Sequence, residues 1–126
     1  MVHNEIGRGE RIAELLSSEV HGHDRGALGA LSVTDAAEEV EPTADGALAF
    51  RIAAADEVLA DVYVQPDRAR VEFVAATEAA AATADKEALR VRPKAVEPPR
   101  TLVFVENGAE VKGALRVVRR AAADVL

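Results

Sequence analysis

Between residues 47 and 75 the chain alternates apolar and polar side chains in three short runs, and no other feature restricts the fold as much. In "ALAFRIA" (47–53), Leu48, Phe50 and Ile52 share one face and Arg51 takes the other. In "VLADVYV" (58–64), Val62 and Val64 oppose Asp61 and Tyr63, and in "RVEFVA" (70–75), Val71 and Phe73 oppose Arg70 and Glu72. A period of two is the signature of a strand with one buried and one wet face, and short antiparallel meanders show it. "QPDRA" (65–69) between the last two runs suits a tight turn, because proline presets the backbone of a turn's second position. "ALSVTD" (30–35) adds a strand before them, with Leu31 and Val33 inward, and "VEPTADG" (40–46) is a loop.

Helical spacing appears on either side. "GERIAELLSSEV" (9–20) places Ile12, Leu15, Leu16 and Val20 on one stripe and Arg8, Arg11, Glu14 and Ser18 outside it, with Gly22 suited to cap the helix. "TEAAAATADKEAL" (77–89) is alanine-rich and reads as a second helix with Thr77 as its N-cap. "TLVFVE" (101–106) has apolar residues on both faces, which predicts a central, covered strand. "NGAE" (107–110) is a capping-box variant that opens a last helix over 108–125, burying Val111, Leu115, Val118 and Ala122. The expected fold is one α+β domain over residues 1–126. It has an antiparallel sheet of about five strands with an N-terminal helix, a middle alanine-rich helix and a C-terminal helix packed on it.

Composition narrows the function classes. Aromatic residues reach only 3%, so the core must be assembled from many small side chains, mostly alanine and valine. The chain has no cysteine, which removes thiolate metal sites, disulfides and cysteine nucleophiles. No apolar run approaches the roughly 20 residues of a membrane span, and the opening MVHNEIGRGER does not resemble a secretory signal. The expected location is the cytoplasm, with no membrane partner and no cofactor.

The net charge is −7, from 22 acidic and 15 basic residues, and it is unevenly divided. Residues 1–85 hold six cations and seventeen acids, a net −11, whereas residues 86–126 hold nine cations and five acids, a net +4. In that basic third, Arg90, Arg92, Lys94 and Arg100 punctuate "LRVRPKAVEPPR", which its prolines keep extended. Lys112, Arg116, Arg119 and Arg120 recur at helical spacing on one side of the last helix. If the two elements are neighbours, their cations form one basic face. Such a face suits a protein partner or a homodimer, or alternatively the phosphates of a nucleic acid. The competing reading is a solvated helix face, or an internal match with the acidic part of the chain.

Three other motifs invite chemistry. His21, His23 and Asp24 form a His-X-His-Asp cluster that could bind Zn²⁺ or Mn²⁺ and support a metal-dependent hydrolase. It is similar to the start of the metallo-β-lactamase motif, but Arg25 stands where that motif has a further histidine. "GRGER" (7–11) and "VENGAE" (105–110) place glycine at helix starts, where backbone N–H groups can hold phosphate. No spacing isolates a catalytic carboxylate pair or a serine nucleophile, so the chain reads as a non-enzymatic interaction module.

High acid content, three lysines and abundant alanine resemble the proteins of halophilic archaea. "RVRPKAVEPPRTLVFVENG" with "GERIAELL" looks like members of a small haloarchaeal family of uncharacterised function, over nearly the full length. The order of elements is also similar to the YjbR-like domains, although Val103 and Phe104 stand where those carry His-Trp.

Overall fold

The computed structural model describes residues 8–22 and 31–125. Helix α1 (Arg8–Gly22) is followed by strands β1 (Leu31–Thr34), β2 (Ala47–Ala54), β3 (Glu57–Gln65) and β4 (Arg68–Phe73). Helix α2 (Thr77–Lys86), strands β5 (Arg90–Lys94) and β6 (Arg100–Val105), and helix α3 (Val111–Val125) complete the chain, α3 entered through a 3-10 turn at Gly108–Glu110. All strands pair antiparallel in the order β1-β2-β3-β4-β6-β5. The sheet therefore has six strands rather than about five, because the proline-bounded basic segment pairs with β6 as an edge strand. Pro93 and the charged residues beside it suit an edge, where a missing N–H and like charges discourage further pairing.

The helices cover one face. Ile52, Val62, Val64, Val71, Phe73, Val103 and Val105 project from that face and join Ile12, Leu16 and Val20 of α1 and Val111, Leu115, Val118 and Ala122 of α3 in a single core. Ala80 and Ala84 of α2 are fully buried, so alanine acts here as a spacer that lets helix and sheet approach closely. The small residues of the composition are thus used for close packing.

Two register shifts refine the alternation. Leu48 pairs with Tyr63 and Phe50 with Val62, leaving Ala49 as an extra residue; Ile52 pairs with Ala60 and Ala53 with Val58, leaving Leu59 extra. Each bulge sends two consecutive residues to the core, Ala49 with Phe50 and Leu59 with Ala60, all of them buried. Leu48, expected beside Phe50, consequently lies on the opposite face with Tyr63.

The helix ends also differ from expectation. Thr77 is the first residue of α2, and the N-cap is Ala76 with φ 50°, without a side-chain cap. The backbone carbonyl of Thr77 instead accepts a hydrogen bond from Thr101 Oγ1 at 3.0 Å, which ties α2 to β6. The helix stops at Lys86, and Ala88, at φ 60°, turns the chain so that Leu89 N donates to Ala84 O at 3.0 Å. The start of α3 matches its motif: Glu110 N donates to Asn107 Oδ1, while Glu110 Oε1 accepts from Glu106 N.

Candidate functional site

The face of the sheet opposite the helices carries the residues that alternate with the core, and no described helix covers it. One row across it runs Arg51, Asp61, Glu72, Leu102, Arg92 over β2, β3, β4, β6 and β5. The next runs Leu48, Tyr63, Arg70, Phe104, Arg90. Arg68 and Glu106 lie beyond the second row, and Arg100 paired with Lys94 lies beyond the first.

These charges form two networks, one around Asp61 and Glu72 and one around Glu106. Glu72 accepts from Arg70 Nε at 2.8 Å, from Arg100 Nη1 at 2.9 Å and from Lys94 Nζ at 3.5 Å. Asp61 accepts from Arg51 Nε at 3.0 Å and from Arg100 Nη1 at 3.4 Å, so Arg100 bridges the two carboxylates. Glu106 accepts from Arg68 at 3.3 Å and from Arg90 at 3.2 Å. Two of the guanidinium groups also lie on rings: Arg70 sits 4.8 Å from the centre of Tyr63, and Arg68 4.4 Å from that of Phe104.

Depth separates the signs of charge. Glu72 is 1% exposed and Asp61 4%, yet neither lies in the apolar core; the side chains of the cations cover them. Burial alone would push the Glu72 carboxyl up, but the Arg100 hydrogen bond and the charges of Arg70 and Lys94 outweigh it and hold it below the ordinary value. Arg100 is raised in return, chiefly by its bond to Glu72. Counting Asp35 at the margin, where it meets Arg51, the face holds seven cations and four carboxylates on a chain of net charge −7. With two of those carboxylates sealed beneath guanidinium groups, the charge offered to solvent is predominantly positive.

Eight of the nine cations of the basic third, those expected to form one basic face, divide between two sides of the molecule. Arg90, Arg92, Lys94 and Arg100 stand on the open sheet face, whereas Lys112, Arg116, Arg119 and Arg120 stand on the outer surface of the helical layer. Lys112 meets Glu19 of α1 at 3.3 Å, and Arg116 grips Glu87 through two bonds of 2.8 Å. That fork lowers the Glu87 carboxyl and raises Arg116. Arg92, Arg119 and Arg120 are exposed and have no ion-pair partner among the described residues. Much of the basic third is therefore matched internally, by carboxylates from both parts of the chain.

Reading the sequence did not single out Arg51, Arg68 and Arg70 as members of the site. Their outward positions were visible in the alternation, but the pairing of β4 with β6 is what carries Arg70 and Glu72 to Arg100.

The remaining motifs resolve as follows. His21 is exposed in the last turn of α1, and His23 and Asp24 lie outside the described residues. Among the described residues no group of His, Asp and Glu side chains could hold a metal ion. In GRGER, Gly9 is pressed against the β3–β4 turn: its N–H donates to Pro66 O at 3.3 Å, and a Cβ there would strike the carbonyl oxygens of Gln65 and Arg68. Its glycine thus serves close packing instead of opening an anion site. A cleft of about 400 Å³ lies between α1 and residues 36–40, with Ala49, Phe50 and Val64 in its floor and Glu10, Glu14 and Glu38 at its rim. Ser17 and Ser18 also line it, and no described base is hydrogen-bonded to either. No described helix is long and apolar enough to cross a membrane.

A model of a family of unknown function, DUF7993, matches residues 1–126. The chain belongs to that family. No curated protein and no solved structure matches the chain. Membership agrees with the expectation of an uncharacterised family and brings no catalytic residues with it, so the chemistry of the open face is what remains to be interpreted.

Proposed function

We propose that the chain is a non-enzymatic interaction module whose contact surface is the open face of the sheet, and that the partner is anionic. One observation carries this reading: the face's central carboxylates, Asp61 and Glu72, are buried under guanidinium groups, so a docking surface meets cations held in place from below. Preorganised cations lose little side-chain freedom on binding, which lowers the entropic cost of association. The sheet supplies a rigid platform for them, since side chains on paired strands cannot separate as those on loops can.

The test compares two charge reversals for binding to short anionic polymers, both polyglutamate and oligonucleotides, followed by fluorescence anisotropy. Arg90→Glu with Arg92→Glu alters the open face; Arg119→Glu with Arg120→Glu alters the helical layer. Loss of binding in the first variant alone supports the open face. Loss in the second alone moves the contact surface to α3 and overturns the proposal.

A further inference from the structure

We infer that the chain pairs with a second copy of itself through one end of the open face, about a two-fold axis parallel to the strands. This goes beyond the anionic partner proposed above and does not depend on it. Among the described residues only two large apolar side chains are exposed, Val58 at 40% and Val96 at 42%. The successive antiparallel pairings run β5 opposite to β3, so the start of β3 and the end of β5 lie at the same end of the sheet. Val58 stands at that start and pairs with Ala53, one residue past Ile52 of the core, which puts it on the open face. Val96 follows β5 and lines a hollow of about 320 Å³ with Val74, Pro98, Lys94, Arg100 and one carboxylate, Glu97. Val74 N donates to Leu59 O at 2.9 Å, so Val74 continues an apolar strip from Val58 to the hollow. Single apolar residues scattered on a surface are ordinary, whereas a strip of them marks a contact.

The strip carries opposite charges at its two ends. Asp56 and Glu57 precede Val58, are exposed, and have no ion-pair partner among the described residues. Lys94 and Arg100 stand at the hollow. Lys94 meets Glu72 only at 3.5 Å, and that carboxylate already takes shorter bonds from Arg70 and Arg100, so Lys94 is the cation most open to a further partner. Since β4 and β6 separate β3 from β5, the two ends are three strand spacings apart, roughly 14 Å. A two-fold axis midway between β4 and β6 lays β3 of one protomer across β5 of its partner. Val58 then enters the partner's hollow beside Val96, and Asp56 and Glu57 meet Lys94, twice by symmetry. An axis across the strands would instead set Val58 on Val58 and acids on acids, with like charges repelling. A patch that holds both the projecting side chain and the matching hollow is self-complementary, which commits the occupant to a second copy. The two sheets diverge from this end, so Arg90, four residues from Lys94 along β5 and roughly 13 Å away, stays outside the contact.

The chain has no cysteine, so single thiols can be introduced without background. Val58→Cys and Val96→Cys chains, one of them carrying a mass tag, are treated with a short bismaleimide, each alone and as an equal mixture. The mixture is expected to yield the cross-linked heterodimer, and each variant alone much less. Sedimentation velocity of the wild-type chain over a concentration series should show a monomer–dimer equilibrium. Val58→Asp should weaken it about tenfold, the worth of one buried valine side chain. Asp56→Lys with Glu57→Lys should weaken it as well, and Arg119→Glu should leave it unchanged. Circular dichroism checks that each variant is folded. Cross-linking of Val58→Cys to itself as readily as to Val96→Cys overturns the two-fold arrangement. A dimer that Val58→Asp and the double charge reversal leave intact overturns the patch. A chain that stays monomeric at every concentration overturns the inference as a whole, whereas the anionic reading of the open face fails only in the polymer titration, so the two failures are distinct.

Discussion

Replacing Glu72 with glutamine keeps the side chain's volume and removes the charge around which the open face is organised. The carboxylate is 1% exposed and takes hydrogen bonds of 2.8 Å from Arg70 and 2.9 Å from Arg100, with Lys94 at 3.5 Å. A hydrogen bond to a charged group is worth about 1.5–3 kcal/mol. Glutamine keeps one acceptor oxygen, but its amide nitrogen turns a second donor toward a guanidinium, so one bond becomes a repulsion. Breaking a fully buried pair costs about 3–5 kcal/mol, and that figure is an upper bound here. Lys94 is 43% exposed and Arg100 29%, so both can recover water, and Arg100 keeps Asp61. The expected loss is about 2–3 kcal/mol, which for a chain of this size lowers Tm by roughly 10 °C. Urea and thermal unfolding of Glu72→Gln, Arg100→Gln and the double variant measure it. The double variant should recover at least about 1 kcal/mol of the summed losses, since the two residues share one interaction. A cost for Glu72→Gln below about 0.5 kcal/mol, typical of an open surface site, would refute the view that this carboxylate anchors the face.

The same group sets an acid limit. Its folded value is below the ordinary 4.5, so its contribution is complete above that value and is lost as pH falls through the lower folded one. Below about pH 4.5 the wild-type chain should therefore lose stability more steeply than Glu72→Gln in parallel urea titrations. Gly9→Ala should cost about 2–3 kcal/mol in urea unfolding, because the added methyl meets backbone oxygens of Gln65 and Arg68 that cannot rotate away. Ala76→Gly and Ala88→Gly should each raise stability by about 0.5–1 kcal/mol, since φ of 50° and 60° is strained for alanine and free for glycine. Arg119→Glu with Arg120→Glu should change unfolding free energy by less than about 0.5 kcal/mol, as both are exposed and unpaired among the described residues.

Local pattern was enough to place most elements. Period-two alternation fixed β2, β3 and β4 and the inward residues Val62, Val64, Val71 and Phe73, because a strand's side chains have only two directions to take. Helical spacing placed Ile12, Leu16 and Val20 of α1 and the buried stripe of α3, and the Asn107–Glu110 cap followed from residue chemistry alone. The bulges at Ala49 and Leu59 escaped that logic, since an apolar residue out of phase has no local mark distinguishing it from one in phase. The αL cap at Ala76 was hidden for a similar reason: alanine carries no signal for positive φ, and tertiary contacts such as Thr101 with Thr77 hold the turn. The site depended on what the sequence leaves open, namely which strand lies beside which. Arg70 and Glu72 are 28 or more residues from Arg100, yet β4 pairs with β6, and so carboxylate and cation meet. The pairing of β5 with β6 made the basic segment an edge strand whose cations stand on the open face and left α3 behind the sheet, dividing cations that charge counting had grouped together. Charge along the chain is set by residue identity; charge across a surface is set by strand order, which only long-range packing decides.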